Sequence, residues 1–291
     1  MPTITVTSRP ETLAPRPGRA MDKVRLGVLY VILLLLALIM LGPFLWLLST
    51  SLRPNDLVFQ YPIHLLPDPL TFRNYIQVWE ELPIARYFLN STVLTLSGLI
   101  VNIVLAAAAA YPLALLDFPG KNIIFYAILS TFFLPNGAGF IVNYVTLAHL
   151  HLTNTLTGVI APGAVGVLYI LIFRQTYITI PKDLLEAARL DGAGEFMIFT
   201  RLVLPIVRPA VSTVAIFSVV AWWNLFLWPV IILQNPHRYP LTVGLTYLNG
   251  MFNQNFAQIA AGTIISIVPV IIVFLLLQRY FISGIAGALK G

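Results

Sequence analysis

The sequence predicts an all-α polytopic membrane protein with six transmembrane helices, and three observations carry that reading. Of its 291 residues 58% are apolar and only 10% charged, with a mean hydropathy of +0.87; a soluble domain carries roughly 25% charged residues. Six apolar stretches match or approach the roughly 20 residues that a helix needs to cross the hydrocarbon core. These stretches are apolar on every face, whereas the strands of a membrane barrel alternate apolar and polar over about ten residues.

Residues 1–25, with Pro2, Pro10, Pro15, Pro17 and Gly18, read as a disordered basic tail. Span 1 is placed at about Leu26–Leu48, too long an apolar run for a signal peptide and without a small-residue cleavage site. In the mixed segment Ser49–Tyr87 five prolines argue against a long helix. Span 2, about Phe88–Leu116, contains the run Ala106–Ala110, which lets a neighbouring helix come close. A tight turn, Asp117–Asn122, leads into span 3, about Ile123–Leu147, which Pro135, Gly137 and Gly139 interrupt. Such a break is tolerated where neighbours or a cavity satisfy the freed backbone groups. Span 4 is about Gly158–Phe173, and a more polar stretch runs from Arg174 to Arg201. Span 5, about Leu202–Leu233, is expected to bend at Pro205 and Pro209; span 6 is about Ile259–Leu277, and residues 278–291 read as a tail. The domain reading is therefore the tail, 1–25, and one six-span unit, 26–291, with its core at about 86–280.

Six spans put both termini on one side, and the basic residues say which. With the N-terminus inside, the inner segments hold Arg9, Arg16, Arg19, Lys23, Arg25, Lys121, Arg174, Lys182, Arg189, Arg201, Arg208, Arg279 and Lys290, thirteen in all; the outer ones hold four, Arg53, Arg73, Arg86 and Arg238. That bias predicts cytoplasmic termini and a cytoplasmic 174–208 segment. It also accounts for the net charge of +6 without a nucleic-acid partner. The absence of Cys excludes disulfides and thiolate metal sites.

Within the inner segment, Pro181 suits the first position of a helix. Asp183 and Glu186 suit its positive end, and Gly192 suits a left-handed stop. A second helical stretch, Glu195–Leu204, then runs to Pro205. The residue types alone allow either an amphipathic hairpin that merely joins spans 4 and 5 or a surface for another protein to dock on.

Glu186-Ala187-Ala188, Gly192, then Leu202, Leu204 and Pro205 resemble the EAA loop of ABC importer permeases, with Leu202 where the pattern has Ile. Asn90-Ser91, Ala109-Ala110-Tyr111 and Phe118-Pro119-Gly120-Lys121 resemble further segments of that family. Asp191-Gly192-Ala193, Trp223-Asn224 and the ending Gly284…Gly287–Gly291 resemble its carbohydrate branch, most closely the MalG-type subunit. The likeness runs from about residue 26 to the end. It implies the transmembrane fold of type I ABC importers, in a bacterial inner membrane. It implies a second, MalF-like permease, two ABC ATPase subunits and an external solute-binding protein as partners, with a sugar-type substrate. It also implies that segment 181–205 is the coupling loop, with Glu186, Ala187, Ala188, Asp191, Gly192 and Pro205 facing the ATPase; Lys290 is a secondary candidate. No cofactor is expected in this chain, because ATP and Mg²⁺ belong to the partner ATPases. The one Gly-Lys pair, Gly120-Lys121, has Leu115 and Asn122 where a P-loop needs Gly and Ser or Thr.

Candidates for the substrate path are Asn136, Asn143 and Tyr144 in span 3 and Trp222, Trp223, Asn224 and Trp228 in span 5, because sugars are held by hydrogen bonds and aromatic faces. Each of these residues also has a purely structural use at interfaces and between helices. No catalytic pair and no metal site is expected; His149 and His151 lack a third ligand nearby in sequence. The competing function is an ion-coupled secondary carrier, which the lack of acidic residues in mid-span disfavours.

Overall fold

A computed structural model describes residues 19–61, 66–135, 137, 139–248 and 255–288, with side chains described outside 19–24 and 277–288. The described residues form helices and turns without a strand. In order, the helices are α1 (Arg19–Ser51), α2 (Arg73–Glu81), α3 (Ile84–Leu115), α4 (Lys121–Ser130), α5 (Phe140–His149), α6 (Leu156–Ile160), α7 (Val167–Ile178), α8 (Lys182–Leu190), α9 (Glu195–Met197), α10 (Leu204–Ile206), α11 (Arg208–Trp223), α12 (Leu227–Ile232), α13 (Leu241–Gly244) and α14 (Phe256–Ala288). A π-helix, Ile198–Val203, joins α9 to α10.

Three helical segments, 25–51, 84–115 and 256–276, are long and apolar enough to cross a membrane, and two bent pairs raise the number to as many as five. The pairs are 156–163 with 167–178, bent by 50°, and 195–206 with 208–223, bent by 79°. The region expected as span 3 consists of two shorter apolar helices, 121–133 and 140–149, broken around Pro135 as its prolines and glycines imply. Span 5 departs from expectation. Residues 202–206 lie across the span, because Val207 leaves the helical region (φ −93°, ψ 21°) and Pro209 has no amide hydrogen to bridge the gap. A second break at Asn224–Phe226 separates α12. The expected tail is helical in its backbone as far as Ala288. Pro181 stands one place before the helix instead of opening it.

The packing centre is α3, which lies against α7 and α11. Towards the end where α7 leads into α8, the small faces of Ala106, Ala107 and Ala110 meet Phe173, Tyr177, Val207 and Val214, all buried. The C-terminus of α3 is capped from two sides. The Lys121 ammonium donates to the carbonyls of Leu116 (2.7 Å) and Ala114 (3.3 Å), and Arg174 Nε donates to that of Leu113 (3.2 Å) while its guanidinium covers the Phe125 ring. Gly120 turns the chain at φ +84°, where a side chain would be strained.

The opposite end is covered by the stretch 234–248. Asn90 Nδ2 donates to the carbonyls of His237 (2.9 Å) and Tyr239 (3.0 Å), and the Leu241 amide donates to Ser91 Oγ (2.8 Å). The Asn-Ser pair thus pins a loop about 150 residues away in sequence. Because Ser91 is buried, Ser91→Ala orphans the Leu241 amide. The expected cost is about 1–2 kcal/mol, read as a lower thermal midpoint of the detergent-solubilised protein.

Candidate functional site

Two features stand out, one on the connector between α7 and α11 and one inside the bundle. On the connector, Leu185 is the buried anchor of α8, while Glu186 and Ala187 face outward and Ala188 is half-buried against the core. The helix ends in a Schellman motif: the Ala193 amide bonds the Ala188 carbonyl and the Gly192 amide that of Arg189, both at 3.0 Å, with Gly192 at φ +82°. Nothing lies within 4 Å of where a Gly192 side chain would stand, so the backbone conformation, not crowding, calls for glycine there. Asp191 and Pro205 are exposed. Leu190 (88% exposed) and Phe196 (80%) are exposed apolar side chains on the same connector.

This connector is tied to the bundle by three residues that were not singled out as site residues from the sequence. Arg189 Nε donates to Glu195 Oε1 (2.8 Å), and the Tyr111 hydroxyl, from the end of α3, donates to Glu195 Oε2 (2.5 Å). The Tyr111 ring packs edge-on against Phe199 and Tyr177. The Arg189 hydrogen bond first, and that of Tyr111 second, hold the Glu195 carboxyl below the ordinary carboxylate range. A lowered folded value makes the tie complete above the ordinary carboxylate pKa; it is lost only as acid protonates Glu195 at a still lower pH. The Ala-Ala-Tyr motif was the one sequence signal that marked Tyr111. Nothing local in sequence joins it to Glu195, 84 residues on.

Inside the bundle, a cavity of about 820 Å³ lies among α3, α5, α7, α11 and α12. Three helix breaks converge on it: 131–140, 160–167 and 222–228. Asn102, buried in α3, organises its wall. Its Nδ2 donates to the carbonyls of Gly163 and Ala164, both at 2.8 Å, and its Oδ1 accepts from Trp222 Nε1 (2.7 Å) and Ser218 Oγ (3.0 Å). All four bonding positions of the carboxamide are thereby used. The Trp222 ring lies in a slot between Gly98 and Gly163, where a Cβ would come within 2.3 Å and 2.9 Å of it.

The residues expected on a substrate path separate. Asn143 and Trp222 line this cavity, as does Trp228, which stacks on Phe140 and donates to the Gly158 carbonyl. Tyr144 lines a smaller cleft with Phe140 and Ile231. Trp223 points away from the cavity, against Phe88 and the Ser266 carbonyl, since consecutive helical residues diverge by about 100°. Asn224 is exposed at the end of α11 and does not line the cavity. Asn136 and Lys290 lie outside the described residues. Among the described residues no cluster of three metal-ligating side chains occurs.

Long apolar helices, broken helices around a half-open cavity and an exposed connector together define a multi-pass membrane permease. Residues 16–287 match the family described as "Binding-protein-dependent transport system inner membrane component", and the chain belongs to that family. The arabinooligosaccharides transport system permease protein AraQ of Bacillus subtilis is 36% identical over 262 residues, 89% of this chain and 93% of that one. The diacetylchitobiose uptake system permease protein NgcG of Streptomyces coelicolor is 30% identical over 93% of this chain and 91% of its own. A chain from a crystal structure of a bacterial ABC transporter involved in import of the acidic polysaccharide alginate superposes with a TM-score of 0.80 at 25% identity, covering 92% of this chain and all of that one. The chain is a transport permease and not an enzyme.

Proposed function

We propose that this chain is one of two permease subunits of an ATP-driven importer for a sugar or a related polyol or glycoside. Its termini and the 181–205 connector are cytoplasmic. Glu186, Ala187, Ala188, Asp191, Gly192 and Pro205 form the contact with an ATPase subunit, ATP and Mg²⁺ are bound by that ATPase, and an external binding protein delivers the sugar. The observation that carries the reading is the exposed Glu186–Ala187 face of α8, on a connector that also exposes Leu190 and Phe196 and is braced on α3 through Glu195. The positive-inside charge distribution supports its side of the membrane, and the sugar-named relatives support the substrate class.

Reversing the charge in Glu186→Lys is expected to lower uptake by the reconstituted complex about tenfold or more, since one lost charged hydrogen bond at a buried contact is worth that much. Co-purification of the two permeases is expected to survive. Uptake by this chain alone in liposomes under an ion gradient would overturn the reading.

A further inference from the structure

The cavity has a chemical character that narrows the substrate. Its described wall holds aromatic and aliphatic side chains, two carboxamides, the hydroxyls of Tyr169 and of Thr131, which donates to the Ile128 carbonyl, and backbone, and contains no Asp, Glu, Lys, Arg or His. Residues 136 and 138, beside it in sequence, are Asn and Ala. We propose that the cavity selects an uncharged saccharide and that Asn143 supplies this chain's directed polar contact to it. The inference rests on the sugar-importer reading and narrows it.

The helix ends are the first argument. At two of the breaks one helical segment ends and a helix of ten residues or more begins on the same cavity, 131–133 before Phe140 and 161–163 before Val167, and at the third α11 ends on it. The breaks therefore bring carbonyl-bearing negative ends together with the amide-bearing positive ends of α5 and α7. Opposed ends give no net preference for an anion. They offer acceptors and donors together, which suits hydroxyl groups, since each hydroxyl both donates and accepts. A carboxylate or phosphate brought into the same wall would leave water without a cation to receive it, a much larger penalty than burying a hydroxyl.

The second argument separates the two carboxamides. Asn102 is saturated by its four partners and serves to position Trp222. Asn143, half-exposed on α5, makes no side-chain hydrogen bond to a described residue. Its free donor and acceptor face a cavity whose rings, Trp222, Trp228 and Tyr169, offer flat apolar surface to the C–H faces of a pyranose or furanose. The relatives named for a neutral oligosaccharide and the transporter named for an acidic one share the fold. The fold therefore leaves charge selection to the wall.

The test uses the complete complex with its binding protein in proteoliposomes. Neutral probes are arabinotriose, N,N′-diacetylchitobiose and maltotriose; anionic probes are trigalacturonate and sn-glycerol 3-phosphate. Uptake of at least one neutral probe is expected to exceed that of both anions by about tenfold or more. Asn143→Ala is expected to raise KM for the accepted sugar by about tenfold, the worth of one hydrogen bond, with the binding protein's Kd and complex assembly unchanged. Asn143→Lys is expected to raise uptake of trigalacturonate relative to the neutral sugar. Comparable uptake of an anionic probe by the native complex, or an unchanged KM in Asn143→Ala, would overturn the proposal. A complex that hydrolyses ATP but imports none of the five probes would sink the sugar reading beneath it.

Discussion

A Gly98→Val chain is expected to fail to assemble around Trp222. A Cβ at position 98 would fall 2.3 Å from the indole Cε2, and the ring has nowhere to retreat, since Gly163 confines its other edge. Displacing the ring also breaks its 2.7 Å bond to Asn102, which leaves the indole N–H unpaired in the interior while Asn102 Oδ1 keeps Ser218. Overpacking costs about 1–3 kcal/mol and the orphaned N–H about 1–3 kcal/mol more. Together these remove a large share of a domain's stability of about 5–15 kcal/mol. The measurement is the yield of folded protein in the membrane and its thermal midpoint in detergent. Gly42→Val is the control: nothing lies within 4 Å of that position in α1, and little change is expected. Adding Trp222→Ala to Gly98→Val should recover part of the loss, and the double-mutant cycle measures how much of it is steric. Normal yield and midpoint for Gly98→Val alone would show that Trp222 does not occupy this slot.

Glu195→Gln is expected to behave in the opposite way, with little lost in stability and much in transport. Both sides of the ion pair are near half-exposed, 40% for Arg189 and 44% for Glu195, and such pairs contribute about 0–1 kcal/mol. Yet Glu195 is bonded at once to the last turn of α8, through Arg189, and to α3, through Tyr111. A displacement imposed on α8 reaches α3 by this route without passing through the 79° bend at Val207. Loosening it is expected to lower uptake about tenfold, as for a coupling energy of about 1–2 kcal/mol, while ATP hydrolysis by the complex continues. Tyr111→Phe keeps the ring contacts with Phe199 and Tyr177 and removes only the hydroxyl, so a smaller loss in the same direction is expected. Uptake and hydrolysis falling in step would assign Glu195 to ATPase assembly instead.

Some of this architecture was legible in the sequence because it follows from local chemistry. Gly120 and Gly192 sit at positive φ, as Pro-Gly-Lys and Asp-Gly-Ala imply. Pro135 and its glycines break the chain in the third apolar region because a proline amide cannot continue a helix. The Glu186-Ala187 face is exposed, as a short amphipathic helix anchored by Leu185 requires. The rest depended on the far side of each contact. Asn102 reads in sequence as one polar residue in an apolar span; only the fold brings Gly163, Ser218 and Trp222 to it. Trp222 and Trp223 are adjacent in sequence and were grouped together, but the helix turns one into the cavity and the other away. The π-helix at 198–203 lies in sequence that suits an α-helix equally well, so composition had no signal for it, and the expected bend at Pro205 and Pro209 carried no signal of the 79° angle at Val207.

The convergence of three broken helices has one more consequence, and it concerns electrical insulation. Backbone groups at the helix breaks that no protein group reaches need water or ligand, and the cavity between the breaks is half-open. On each of the three central helices the path towards α8 leaves that cavity within a few turns: from Asn102 to Ala106 and Ala110, from Tyr169 to Phe173 and Tyr177, and from Trp222 to Val214 and Ala210. That close-packed layer is dry and apolar, the property an electrical barrier needs. A permease must not drain the ion gradient between transport cycles, and loosening the seat of the small alanines against Phe173 and Tyr177 is where such a leak is expected first.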